Sequence, residues 1–127
     1  MGTLKKINTE NAPAAIGPYS QAITAGEMIY VSGQLGLDPK TGKLVEGEIA
    51  AETKQALENI KAVLLAAGSS LAKVVSANVY LADMNEFSKI NEIYAGYFAE
   101  PYPARATVAV KTLPKNGRVE IAVIAAR

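Results

Sequence analysis

The sequence predicts a single α+β domain, residues 1–127, in which two helices cover one face of one β-sheet. Three observations carry this: an apolar periodicity of three and four residues across positions 49–67, a strict two-residue alternation across 75–81, and the element order β, β, α, β, α, β, β. At 127 residues, half of them hydrophobic, the chain supplies one core, and dividing it would leave two units each too small to be stable.

Residues 4–7 form a short opening segment, followed by a polar, proline-containing loop through Gly17-Pro18-Tyr19. Two short apolar runs come next, residues 21–24 and 28–32, and Ala25-Gly26-Glu27 between them has the composition of a hairpin turn. Pro39-Lys40-Thr41-Gly42 is a second turn, with proline and glycine where a type I turn wants them. From there Ile49, Thr53, Ala56, Leu57, Ile60, Val63, Leu64 and Ala67 line one helical face, and Gly68 supplies the stop. Val75, Ala77, Val79 and Leu81 alternate with Ser76, Asn78 and Tyr80, the pattern of a strand with one face on a core. Asp83 followed by Glu86 gives a capping-box start to a second helix, whose Phe87, Ile90, Tyr94, Tyr97 and Phe98 share a face and which stops before Pro101. Two β-rich runs, residues 106–110 and 119–125, close the chain around Leu113-Pro114-Lys115-Asn116-Gly117.

The last strand is largely apolar on both sides, with Val119, Ile121, Val123 and Ala125 on one face and Glu120, Ala122, Ile124 and Ala126 on the other. Both faces therefore call for burial. Two helices cover one; the other is covered by further copies of the chain in a closed symmetric oligomer, or by loops from the first forty residues.

Composition removes several function classes. Thirteen basic residues against twelve acidic leave a net charge of +1, no field to gather a nucleic acid. The absence of cysteine and histidine excludes disulfides, a thiol nucleophile, a histidine-based triad and the usual zinc ligand sets, so no metal is expected. The amino-terminal residues lack an apolar signal region, no apolar run approaches the roughly 20 residues that span a bilayer, and Lys6 stands where a myristoylation signal opening at Met1-Gly2 needs serine or threonine. A soluble, cytoplasmic protein without a membrane partner is the expectation.

Chemistry must then come from a few polar residues in apolar settings. Arg105 is one of three arginines and sits in Tyr102-Pro103-Ala104-Arg105-Ala106-Thr107-Val108, at the start of a strand read as buried. A guanidinium there needs an anion, and its planar fork matches a carboxylate in two places; Glu120 or a ligand is that partner. Glu120 is the one charge in the last strand's apolar run, either an acid-base group with a shifted pKa or an edge-strand charge that blocks aggregation. Tyr19 is a loop phenol able to donate a hydrogen bond or to pack on the core. Ser32-Gly33-Gln34 ends a strand where glycine suits a bend or a ligand's approach, and Asn91, one turn after Phe87, is a satisfied amide or a ligand contact.

Topology decides whether Arg105 and Glu120 meet. A direct hairpin at Asn116-Gly117 separates them by roughly 25 Å along the strands. If the last two strands instead run parallel on either side of the strand over residues 74–81, both residues start at the same end, with roughly 10 Å between backbones.

The motifs Asn11-Ala12-Pro13-Ala14-Ala15-Ile16-Gly17-Pro18-Tyr19, Ser32-Gly33-Gln34, Gln55-Ala56-Leu57-Glu58-Asn59, Pro103-Ala104-Arg105 and Val119-Glu120-Ile121, in this order, resemble the Rid (YjgF-type) family of reactive intermediate deaminases, closest to its RidA branch. The resemblance spans almost the whole chain. It implies a chorismate-mutase-like mixed sheet, a homotrimer with sites in the clefts between subunits, and the crossover arrangement. The implied activity is hydrolysis of 2-imino acids, such as 2-iminobutanoate and 2-iminopropanoate released by pyridoxal-phosphate enzymes, to 2-keto acids and ammonia without a cofactor. Arg105 resembles the arginine that grips the substrate carboxylate and Glu120 the acid that positions or activates water. Tyr19, Ser32, Gly33, Asn91 and the backbone at Thr107 match pocket positions. Many relatives carry cysteine where this chain has Thr107, so thiol-dependent regulation is not expected. Two other roles known among relatives are a non-catalytic trimer that binds small carboxylates or protects other proteins, and a ribonuclease or translation inhibitor; the near-zero net charge disfavours the second.

Overall fold

The β-hairpin that Ala25-Gly26-Glu27 predicts is formed by strands β2 (Ala22–Ala25) and β3 (Met28–Leu35), antiparallel with Ala25 opposite Met28 and Gly26 at φ 57 in the turn. The structure, a computed structural model, describes residues 3–127; Met1-Gly2, where the myristoylation reading falls, lies outside the described residues. The opening segment is β1 (Lys5–Ile7), an antiparallel edge strand on β2. Helix α1 (Glu48–Ala66), β4 (Val74–Leu81), helix α2 (Phe87–Tyr97), β5 (Ala104–Ala109) and β6 (Val119–Ala126) complete the chain.

Among the described residues the six strands form one mixed sheet in the order β1-β2-β3-β6-β4-β5. β6 is antiparallel to both β3 and β4, and β4 is parallel to β5. The chain thus makes two crossovers between parallel strands, β3-α1-β4 and β4-α2-β5. Crossovers of one hand place both helices on the same face, as expected.

The two helices are built by different means. On α1, Ile49, Ala56, Leu57, Ile60, Val63 and Leu64 are buried, and each of the Ile, Leu and Val side chains contributes on the order of 2 kcal/mol. Its end is closed by Gly68 at φ 79, with the Ser69 amide donating to the Leu64 carbonyl at 2.9 Å and the Gly68 amide to that of Leu65 at 3.0 Å. The start of α2 departs from the capping-box expectation. Asp83 accepts from the Asn85 amide at 2.9 Å and so caps a single 3-10 turn, Met84–Glu86, while Glu86 pairs with Lys89 at 3.5 Å on the surface.

The core lies between the helices and one sheet face, where Ile29, Val31, Ala77, Val79, Leu81, Val119, Ile121, Val123 and Ala125 all point. The opposite face is only half-covered: Glu120, Ala122, Ile124 and Ala126 keep partial exposure, and Tyr30 and Val108 remain 47% and 46% exposed. Burial of both faces is therefore not met within one chain. Loop cover reaches only the Glu120 end of that face, where Pro13, Ala14 and Tyr19 line a cavity; the Gln21 amide nitrogen donates to the carbonyls of Thr9 at 3.0 Å and Pro13 at 2.8 Å, and Ala12 between them packs into the core. Thr9 and Asn11 face α1, away from the open sheet face.

Two readings of the last strands need correction. Asn116-Gly117 makes no hairpin; Lys115 and Asn116 take the left-handed conformation, at φ 56 and φ 58, in a short turn, and Gly117 sits at φ −59. β5 and β6 do flank β4, but they run antiparallel to one another, because β4 is parallel to the first and antiparallel to the second. Among the described residues no helix is long and apolar enough to cross a membrane.

Candidate active site

Glu120 occupies an interior strand, paired with Leu35 on β3 and Tyr80 on β4, so an edge-strand role is excluded. The β3–β6 register shifts between Val31 and Gln34, and this bulge brings Gly33 under the carboxylate. A methyl group at Gly33 would stand 2.5 Å from Glu120 Oε2, so only glycine leaves the carboxylate its place. Burial pushes the Glu120 carboxyl above its ordinary value. Its cavity, about 490 Å³, is lined by Tyr19, Ser32, Gly33, Leu35, Lys115 and Glu120 among others. The Ser32 hydroxyl donates to the Ser20 carbonyl at 2.6 Å and the Ser32 amide to that of Gln21 at 2.9 Å, and these two bonds tie the loop bearing half-exposed Tyr19 to β3.

Arg105 stands elsewhere. Its strand is the exposed edge of the sheet, not the buried strand that its apolar neighbours suggest, because those neighbours face an uncovered surface in the single chain. Arg105 pairs with Ala77, whose side chain is in the core, and so points toward the helices. Its Nη1 donates to Asn91 Oδ1 at 2.7 Å, and its guanidinium carbon lies 4.7 Å from the Tyr94 ring centroid and 5.5 Å from that of Phe87. Among the described residues no carboxylate pairs with it. Asn91, Tyr94, Ala95, Tyr102, Pro103 and Arg105 line a cavity of about 480 Å³. Two residues along the same strand face, Thr107 has its hydroxyl buried without a hydrogen-bond partner.

The two charged residues do not meet within one chain. Arg105 is level with Ala77 on the core face, whereas Glu120 is level with Tyr80 on the open face. Three residues along the strands and two strands across put their backbones roughly 14 Å apart. The structure thus gathers Tyr19, Ser32, Gly33 and Glu120 on one side, Asn91, Arg105 and Thr107 on the other.

Three features were outside the reading of the sequence. Lys115 enters the Glu120 cavity from the left-handed turn, which no local pattern marks. Phe87 and Tyr94 bracket Arg105, a role that the spacing of Phe87, Asn91 and Tyr94 at four and three residues on α2 signals in hindsight. Arg118 and Glu52 form an ion pair of 2.6 Å with the Glu52 carboxylate fully buried, across 66 residues of chain.

Comparison with known proteins places this geometry. The Endoribonuclease L-PSP family matches residues 9–127. A RutC family protein of Pyrococcus horikoshii is 57% identical over 119 residues, which is 94% of each chain. A Bos taurus protein named 2-iminobutanoate/2-iminopropanoate deaminase is 56% identical over 121 residues, 95% of this chain and 88% of its own. The crystal structure of E. coli TdcF with bound serine superposes with a TM-score of 0.91 at 38% identity, covering 97% of this chain and 98% of that one. The chain belongs to the Endoribonuclease L-PSP family, the YjgF/Rid family, and is RidA-like.

Proposed function

We propose that the protein is an imine hydrolase, a 2-iminobutanoate/2-iminopropanoate deaminase, acting in the cytoplasm as a homotrimer of single-domain chains with each site assembled between two subunits. The observation that carries this is the separation of Arg105 and Glu120: each lines its own cavity, on opposite faces of one sheet, and neither has an oppositely charged partner among the described residues. The half-covered sheet face supports assembly, because stacking copies of the chain buries Tyr30, Ile124 and Val108 and brings one subunit's Arg105 side toward the next subunit's Glu120 side. The bovine relative's name supports the reaction, and serine in TdcF supports a small ligand with a carboxylate.

In this reading Arg105 clasps the substrate carboxylate, and the Thr107 main chain helps hold it. An imine carbon next to a carboxylate is already electrophilic, so fixing the acid and delivering one water from a set direction supply most of the rate gain. Water oxygen adds to that carbon as the C=N electrons move to nitrogen, and Glu120 takes a water proton and returns it to nitrogen, giving a carbinolamine; Glu120 then carries the hydroxyl proton to the same nitrogen, and ammonia leaves as the C–N bond breaks and the keto group forms. Desolvation raises the Glu120 pKa toward the range in which one group can both accept and return a proton. Gly33 leaves room over that carboxylate, Ser32 holds the loop that carries Tyr19 at the rim, and Asn91 acts through Arg105. No cofactor takes part in this scheme.

The family's name raises ribonuclease action as the competing reading; a net charge of +1 provides little attraction for a polyanion. The test couples a threonine dehydratase to the protein and follows 2-ketobutyrate. Faster release with the wild type and loss with Arg105→Ala are expected; release unchanged by wild-type protein overturns the proposal.

A further inference from the structure

An arginine awaiting an anion has a conformational problem. Its long side chain loses rotamer freedom when held in one geometry, and a carboxylate that fixed it would also occupy the donors meant for the ligand. α2 offers another means. Phe87, Asn91 and Tyr94 lie on one stripe of the helix, and all three contact the guanidinium: one hydrogen bond of 2.7 Å at Nη1, and two rings at 5.5 Å and 4.7 Å from its central carbon. Rings hold a cation through their faces and accept none of its in-plane N–H groups, so the fork stays open toward the cavity bounded by Ala95, Tyr102 and Pro103.

We propose that Tyr94 and Phe87 are positioning residues whose rings lock the Arg105 guanidinium in a carboxylate-ready orientation without competing for its donors. Tyr94 is the firmer of the two. It is 5% exposed, and its ring packs at 4.5 Å against Phe98, so its position is set by the core and not by the arginine. Its hydroxyl is buried and has no hydrogen-bond partner among the described residues, so the ring and not the hydroxyl performs this task. Electrostatics agree with the contact: burial raises the Tyr94 phenol's pKa, and Arg105 draws it partly back.

The inference rests on Arg105 being the carboxylate clamp, and the experiment separates the two. Steady-state kinetics on 2-imino acids generated by an amino-acid oxidase are measured for wild type, Arg105→Ala, Tyr94→Leu, Tyr94→Phe and Phe87→Leu, alongside the NMR signal of the Arg105 Nε–H. Tyr94→Leu is expected to raise KM about ten-fold with kcat within about three-fold, since a looser clamp weakens ground and transition states alike. It also removes the ring-current shift of the Arg105 signal, whereas Tyr94→Phe keeps the shift and restores KM to within about three-fold of wild type. Phe87→Leu, at a less buried position, gives the same KM signature more weakly and carries the test if Tyr94→Leu fails to fold. Unchanged KM and unchanged NMR shift in the leucine variants, with Arg105→Ala inactive, overturn this inference alone. Tyr94→Phe as impaired as Tyr94→Leu overturns it in favour of the hydroxyl. Full activity in Arg105→Ala removes the clamp itself and this inference with it.

Discussion

Two arginines of this chain have opposite surroundings. Arg118 is paired with an internal acid: its Nη1 reaches Glu52 Oε2 at 2.6 Å, its backbone amide donates to Oε1 at 2.8 Å, and that carboxylate, on α1, is fully buried. Gly36 lets α1 come this close, since a methyl there would stand 2.5 Å from the Glu52 Cα. Arg105 is held by an amide and two aromatic rings on α2, with no carboxylate among the described residues. An internal acid makes an arginine a structural tie between a helix and a strand; aromatic walls and an amide leave it fixed but open. The distinction lies in what surrounds the guanidinium and not in how apolar the sequence around it is.

The largest expected effect breaks the open arginine. Arg105→Ala should lower kcat/KM by on the order of 10² to 10³-fold while leaving the thermal midpoint within about 2 °C, since no internal charge loses its partner. Glu52→Ala should do the converse, lowering Tm by on the order of 10 °C through a lost carboxylate and an orphaned Arg118 amide, with turnover of the folded fraction retained. Calorimetry and the coupled assay on the same samples read both. Gly33→Ala sharpens the contrast on the Glu120 side: the added methyl displaces a flexible carboxylate, which should cost about ten-fold in kcat/KM and under about 1 kcal/mol in stability. The smallest effect is on pH dependence. Because the folded-state pKa of Glu120 is raised, this group's contribution to stability is full below the ordinary glutamate value and is lost as pH climbs through the raised one. Glu120→Gln should flatten that decline in denaturant titrations run upward from the ordinary glutamate value, and wild-type kcat/KM should fall as the pH drops toward that value.

Much of the fold was legible because its signals are local. The α1 stripe ending at Gly68 and the Val75-to-Leu81 alternation each fix an element, and the latter fixes the buried face at Ala77, Val79 and Leu81; Val75, expected on that face, is 46% exposed with Val74 buried in its stead, because the β4–β6 register shifts between Val74 and Ser76. Strand direction was not local. Asn116-Gly117 carries a hairpin signature, yet the left-handed residues fall one position earlier, at Lys115 and Asn116, and the chain crosses over instead of pairing back. Every nominated site residue lines one of two cavities or flanks Arg105, but their division between two sheet faces depends on pairing with Ala77 and Tyr80, which no single-strand pattern encodes. The Glu52–Arg118 pair was equally hidden, since an acid on a helix stripe looks solvated until the strand that meets it is known.

Subunit complementation tests the central claim most directly. Arg105→Ala and Glu120→Gln chains, each inactive alone, are unfolded together in equal amounts and refolded. If each site draws Arg105 from one copy and Glu120 from its neighbour, every mixed trimer regains one intact site, and activity recovers to about a quarter of wild type. Mixed trimers that form and stay inactive would contradict a site shared between subunits.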